Sequence, residues 1–225
     1  LSDEYVQEHY LNNPHCPITI HYHQQLALDG FIRNMPHEPN HLLGYVPRTG
    51  KSIIILLMVK WILENKLSDR ILLITPICKT IESFEEAIKK YADFSSIPVY
   101  VIKREGQPVP SEFTGLVISS IQYFKVGSNK TVEGYQTVIS DEAHIGTYTV
   151  NSLDNIFRAS TVRYRIFASG TPCGTQSNFH IPSKCVYTWT NVHSKLMLTA
   201  EGRRALGVPP DVDIEPYKQV PTQVY

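Results

Sequence analysis

The sequence predicts an α/β fold, a parallel sheet with helices on both faces. Three observations predict it. Short, almost continuously apolar runs alternate with amphipathic stretches along most of the 225 residues. Strands of that kind are buried on both sides, as parallel sheets require. One such run, residues 42–46, passes through Pro47-Arg48-Thr49-Gly50-Lys51-Ser52 into a helical apolar stretch that begins at Ile53. Another, residues 137–140, delivers the polar group Asp141-Glu142-Ala143-His144.

Each element has its own reason. Residues 24–35 carry Leu26, Leu28, Phe31 and Ile32 at helical spacing, and Pro36 ends that helix. Residues 36–40 read as a loop and 42–46 as a strand. Residues 51–65 form an apolar helix. Residues 70–75 are a buried strand stopped by Pro76, because the residue before a proline disfavours helix. Residues 80–91 place Ile81, Phe84, Ala87 and Ile88 on one helical stripe. Residues 98–102, 116–119 and 137–140 are short strands, 150–157 a helix, and 164–168 a strand ending in Ser169-Gly170-Thr171-Pro172. Beyond Thr175 the pattern weakens. Residues 184–190 suit a strand, and 194–206 suit a helix with Gly207 as its stop. The expected division is an N-terminal segment 1–40, a central α/β domain 41–175 and a C-terminal extension 176–225.

Bulk properties exclude several classes. Hydrophobic residues make up 42% and charged residues 19%, enough for a sizeable core. The formal net charge of +0 excludes a strongly basic tail, although a neutral total can hide a basic face. No apolar run reaches membrane-spanning length, and no signal peptide is recognisable, so no membrane partner is expected. The chain begins at Leu1 and reads as a piece of something longer. Cys16, Cys78, Cys173 and Cys185 form no Cys-x-x-Cys pair and read as free thiols of an intracellular, reducing compartment, cytoplasm or nucleus. His21 and His23 would share one face of a strand, but no ligand cluster accompanies them.

The chemistry concentrates in two places. A strand, a turn ending Gly-Lys-Ser and a helix are the layout of a P-loop. Backbone N–H groups and the helix N-terminus cradle phosphates, Lys51 reaches the terminal ones, and the Ser52 hydroxyl ligates Mg²⁺. Pro47, Arg48, Thr49 and Gly50 complete the loop, with Tyr45 where a strict glycine pattern begins and Gly44 beside it. In the Asp-Glu pair, Asp141 can hold the magnesium shell and Glu142 can orient the attacking water. The bland alternatives are an exposed lysine, a helix-capping serine and an Asp141 N-cap. Two such motifs in order, each after an apolar strand, favour ATP with Mg²⁺ as cofactor.

The ordered set resembles the first RecA-like, DEAH-type domain of a superfamily 2 helicase or translocase over about residues 18–172. Residues 46–52 resemble motif I. Leu73-Ile74-Thr75-Pro76, with Lys79 and Thr80 nearby, resembles motif Ia. The Ser119–Gln122 stretch resembles the strand-Ser-Gln motif that follows. Asp141-Glu142-Ala143-His144 resembles motif II, and Ser169-Gly170-Thr171-Pro172 resembles motif III. Gln24 ahead of a helix, with Gln25 as the alternative, is similar to the glutamine that reads adenine.

The resemblance implies that Thr75, Lys79, Ser119 and Gln122 lie along nucleic acid, DNA favoured over RNA. It implies that Ser169 and Thr171 link the ATP site to that strand, and that His144 couples to motif III or to a second RecA-like domain outside this chain. The motif spellings look more like restriction-type motors, remodeller relatives and helicases of large DNA viruses than like spliceosomal enzymes. Arg48 departs from the family, standing where glycine is common. Three readings stay open: the N-terminal lobe of an ATP-dependent motor, the motor portion of a restriction enzyme, and a non-catalytic nucleotide-binding scaffold.

Overall fold

The computed structural model describes residues 16–102, 107, 111–121, 134–141, 157, 159–170 and 172–218, the last span without the side chains of 172–174. Seven strands form one sheet: β1 (Asn40–Tyr45), β2 (Arg70–Thr75), β3 (Val99–Val101), β4 (Gly115–Ser120), β5 (Thr137–Ser140), β6 (Tyr164–Ala168) and β7 (Val186–Trp189). Their order is β3-β4-β2-β5-β6-β1-β7, and every pairing is parallel. The helices are α1 (Tyr22–Asn34), α2 (Lys51–Glu64), α3 (Cys78–Lys90), α4 (Pro172–Asn178), α5 (Asn191–Met197), α6 (Ala200–Ala205) and α7 (Glu215–Lys218).

Strand alternation sorts the core into two layers. Leu43 and Tyr45, Ile71 and Leu73, Ile139 and Ile166 face a layer shared with α1, α2 and α3. Leu42, Leu72, Ile74, Val138 and Phe167 face the opposite layer with Phe157, Val162, Ile181 and Cys185. Because both faces are covered, no polar residue relieves the apolar runs of β1 and β2 except near their ends. Helix α2 is apolar nearly all round and is buried accordingly, with Ile54, Ile55, Leu56, Met58, Val59 and Ile62 in the core. Trp61 is partly buried and packs edge-on to Phe31, as a core residue rather than a stacking platform.

Three expectations are corrected by local physics. Helix α1 starts at Tyr22, two residues early, because the His21 N–H donates to Gln24 Oε1 at 2.9 Å and closes a capping box. His21 and His23 therefore lie at a helix start, not on a strand, although their rings still stack at 6.0 Å. The single helix expected over 194–206 is two, α5 and α6, broken at Leu198 and Thr199. Thr199 caps the second by accepting from the Gly202 N–H at 3.0 Å. Gly202 allows the close return: a Cβ there would lie 2.2 Å from the Leu196 carbonyl oxygen. Residues 186–189, within the strand expected over 184–190, join the sheet as β7, parallel to β1. The helix expected over 150–157 lies outside the described residues apart from Phe157.

Behind β1, His41 is fully buried. Its Nε2–H donates to the Glu38 carbonyl at 2.9 Å, so Nδ1 accepts from the Tyr187 hydroxyl at 3.1 Å. Burial holds His41 well below the ordinary histidine value, at about 4, and does the same to His23. The unfolded chain takes up these protons near pH 6.5, while the fold resists until about pH 4. Stability is therefore full above the unfolded value and is lost as pH falls between the two. Thermal melts from pH 7 down to pH 5, above the main carboxylate range, should show a falling midpoint. By linkage the two groups together amount to a few kcal/mol, about 1.4 per pH unit for each. The fall should be shallower in His41→Gln, which has one fewer buried imidazole.

Candidate nucleotide site

The parallel register gathers the motifs. Leu43 is level with Ala168 on β6, and the Ser169 N–H donates to the Leu43 carbonyl at 3.0 Å. Ser140 is level with Phe167 on β6 and with Ile74 on β2, and the Asp141 N–H donates to the Ile74 carbonyl at 2.9 Å. Lys51, Asp141 and Ser169 thus leave one edge of one sheet, the carboxyl edge where open α/β sheets bind ligands. Strands β1 and β5 flank β6, so their ends stand two strand spacings apart, about 10 Å. Asp141 is 4% exposed, and Ser169 is fully buried.

The turn from β1 to α2 is short and strained. Strand β1 runs on through Tyr45, whose ring is buried and whose hydroxyl donates to the His23 carbonyl. The glycine-like position is thus spent on packing, and the loop is left with residues 46–50. Gly50 caps α2 in the left-handed region, φ 77° and ψ 31°. Arg48 is also left-handed at φ 67°, which explains why glycine suits that position. For a non-glycine residue this costs about 1–2 kcal/mol. Three contacts hold the loop in compensation. Thr49 Oγ1 donates to the Val46 carbonyl at 2.6 Å. The Val46 N–H donates to the Trp189 carbonyl at 3.2 Å. His23 Nε2 bonds the Thr49 carbonyl at 2.9 Å.

Beside this turn lies a pocket of ≈ 260 Å³ bordered by Gln24, Arg48, Thr49, Gly50, Tyr91 and Tyr217, among others. Gln24 is buried against the loop: a Cβ added at Gly50 would lie 2.3 Å from Gln24 Nε2. Gln24 and the turn therefore share one cavity. Trp189 forms part of its wall, buried, stacked on His23 at 5.2 Å and donating Nε1–H to Ser194 Oγ at 2.9 Å. The pocket's debt to Trp189 and Tyr217 was not foreseen from sequence. The only signal was His21-Tyr22-His23 beside Gln24, where a metal reading was weighed and set aside.

The sequence-derived residues divide as follows. Gln24, Arg48, Thr49 and Gly50 border the pocket, and Lys51 and Ser52 open α2. Pro47 is exposed in the turn. Asp141 ends β5. Glu142, His144, Gln122 and Thr171 lie outside the described residues. Thr75 and Ser119, expected to offer hydroxyls to a nucleic-acid backbone, are fully buried. Thr75 Oγ1 donates to the Ile77 carbonyl at 3.1 Å and Ser119 Oγ to the Ser120 carbonyl at 3.3 Å, so both shape the strand ends from inside. Lys79 is exposed in the first turn of α3, next to exposed Ile77 and Cys78. Among the described residues no cluster of metal-binding side chains occurs, and no helix is long and apolar enough to cross a membrane.

This parallel sheet, with a short turn after β1 and a buried aspartate after β5, has the fold of a RecA-like domain. Residues 17–173 match the family described as Type III restriction enzyme, res subunit, and the chain belongs to it. No curated protein matches in sequence. The UvsW helicase from Bacteriophage T4 is similar in structure, with a TM-score of 0.59, 17% identity, and coverage of 84% of this chain and 68% of that one. The Sulfolobus solfataricus SWI2/SNF2 ATPase core in complex with dsDNA gives 0.61 at 14% identity, covering 76% of this chain and 36% of that one. The Type ISP restriction-modification enzyme LlaBIII bound to DNA gives 0.50 at 16%, covering 69% and 13%. The chain thus spans about a third of the archaeal core and a small part of the restriction enzyme.

Gly50→Ala tests the turn. The added methyl meets the Gln24 amide and stands in a left-handed backbone, so the variant should lose about 1–2 kcal/mol of stability. Chemical denaturation of both chains measures the difference.

Proposed function

We propose that this chain is the nucleotide-binding lobe of an ATP-dependent DNA motor. The observation that carries the reading is the convergence of Lys51, Asp141 and Ser169 on one sheet edge, with the amide-bearing start of α2 between the first two and the Gln24 pocket. The residues present suit Mg·ATP. Ser52 and Asp141 are hard oxygen donors of the kind that hold Mg²⁺, and Gly50 stands where a Cβ would run into the Gln24 amide. Bound there, the ion supplies neutralisation of phosphate charge.

The chain's own groups supply the rest. Lys51 stabilises the terminal phosphates. Glu142, following Asp141, orients the attacking water. The N–H groups at the start of α2 bind phosphate oxygens. The Gln24 amide reads the edge of the base in the adjoining pocket. His144, Ser169 and Thr171 relay the state of the site to the bound strand and to a second RecA-like lobe. That lobe would bring arginine fingers, worth about 10³–10⁵ in rate, so this chain alone should turn over slowly.

Service in a restriction enzyme is the second reading, and membership of the res-subunit family favours it. A nuclease signature in flanking sequence would decide between the two. Both readings place the protein inside the cell, in the cytoplasm or nucleus.

Lys51→Ala should abolish measurable Mg·ATP binding by calorimetry. In the protein joined to its second lobe, Glu142→Gln should bind ATP normally and hydrolyse it about a hundred-fold more slowly, the usual weight of a general base. Normal turnover in either variant would refute the assigned roles.

For the nucleic-acid track, the exposed Lys79 at the start of α3 is the cation in reach of a phosphate. Lys79→Glu should weaken DNA binding equally for all sequences and reduce the slope of log affinity against log salt by about one. Fluorescence anisotropy over a salt series measures both, and a loss limited to one sequence would move the track elsewhere.

A further inference from the structure

The Thr49 carbonyl does not point to solvent. It accepts from His23 Nε2–H at 2.9 Å, and a carbonyl can only accept, so the proton is on Nε2. Nδ1 of the same ring is then an acceptor, and the Tyr217 hydroxyl, 3.0 Å away, donates to it. The hydroxyl oxygen in turn accepts from the His23 backbone N–H at 3.3 Å. Every polar atom of the pair is used, and both side chains are buried. The three rings also pack together: Tyr217 meets His23 edge-on at 5.5 Å, Trp189 stacks on His23 at 5.2 Å, and Trp189 lies 5.8 Å from Tyr217. Tyr217 belongs to α7, the last described element, which the segment after α6 carries back to the nucleotide pocket.

A trans peptide group holds its C=O and N–H on opposite sides. Pinning the Thr49 carbonyl toward His23 therefore turns the Gly50 N–H away from His23. In a phosphate-binding turn that N–H is one of the groups that must face the ligand. This loop lacks most of the glycines that would let it adopt such a shape at no cost, and Arg48 is held in a left-handed backbone. Something outside the loop has to fix it.

We propose that His23 and Tyr217 are positioning residues for the phosphate loop, a strut from the C-terminal segment that aims the Gly50 N–H at bound phosphate and makes nucleotide affinity depend on the seating of α7. The proposal rests on the nucleotide-binding reading for its consequence, but not for its geometry. The neutral ring that the strut needs is favoured by burial, which holds His23 far below the usual histidine range.

The test uses the whole 225-residue chain and three variants. Tyr217→Phe keeps the ring and removes the hydroxyl. His23→Met keeps volume without hydrogen bonds. His23→Gln keeps an amide N–H for the Thr49 carbonyl. Hydrogen exchange across residues 46–52 is measured without nucleotide, and Mg·ATP affinity by calorimetry. Exchange in the loop should rise roughly 3- to 10-fold in Tyr217→Phe and more in His23→Met, the range expected for one lost hydrogen bond or two, and recover in His23→Gln. Affinity should fall in the same order.

Unchanged loop exchange in both Tyr217→Phe and His23→Met overturns the strut whether or not nucleotide binds. So does an increase spread over all of α1 and β1, which a general loss of packing would give. Loosened loops with undiminished affinity overturn the positioning role. If the loops respond as stated but the unmodified chain binds no Mg·ATP, the strut stands and the nucleotide-binding reading falls.

Discussion

Parallel pairing of β1 between β6 and β7 is the constraint on which the rest depends. A parallel strand takes neighbours on both edges and helices on both faces, so β1 has no side free for polar residues. Its five residues from His41 to Tyr45 are all buried. The polar chemistry is forced to its carboxyl end, where the chain must turn at once into α2. The same holds for β5 and β6, which run alongside in register and deliver Asp141 and Ser169 to the same edge. Site geometry here follows from sheet direction, not from any attraction among the site residues themselves.

The price of so short a turn is backbone strain, and the surroundings offset it. Two residues of the loop are left-handed, and only Gly50 is a glycine. The holding contacts come from three distant parts of the chain: α1 through His23 and Gln24, β7 through the Trp189 carbonyl, and α7 through Tyr217. Strain maintained by an over-determined environment is common where a ligand is cradled. It also explains why the C-terminal segment packs back onto α1: Tyr217, Val208 and Met197 are buried in the same core as Phe31 and Tyr45.

Much of the fold was legible before any coordinates. Residues 137–140 and 164–168 were expected as strands and are strands with those bounds, and the strand written up to Pro76 runs over 70–75, because short apolar runs between turn residues suit strands buried on both faces. The helix after Gly50 was legible because its apolar run is too long for a strand. The pocket was only half legible. Gln24 was named only through the family resemblance, while Lys51 and Asp141 stood out as charged residues after apolar runs. Tyr217 and Trp189 did not, since an aromatic residue in a weakly patterned tail carries no local mark of its partner nearly two hundred residues away. Thr75 and Ser119 misled in the opposite sense: hydroxyls at strand ends look available, and only the packed neighbours show them turned inward.

The sequence by itself determined the class of fold and the places of the Gly-Lys-Ser turn and the Asp-Glu pair along the chain. These depend on local periodicity and on residue types whose chemistry is local. Tertiary structure alone decided the strand order, the inclusion of 186–189 in the sheet, and the joining of α1, β7 and α7 around one loop. Those are choices among long-range pairings of nearly equal local merit. They are settled by which arrangement buries both faces of the sheet and leaves the buried histidines with a partner for each ring nitrogen.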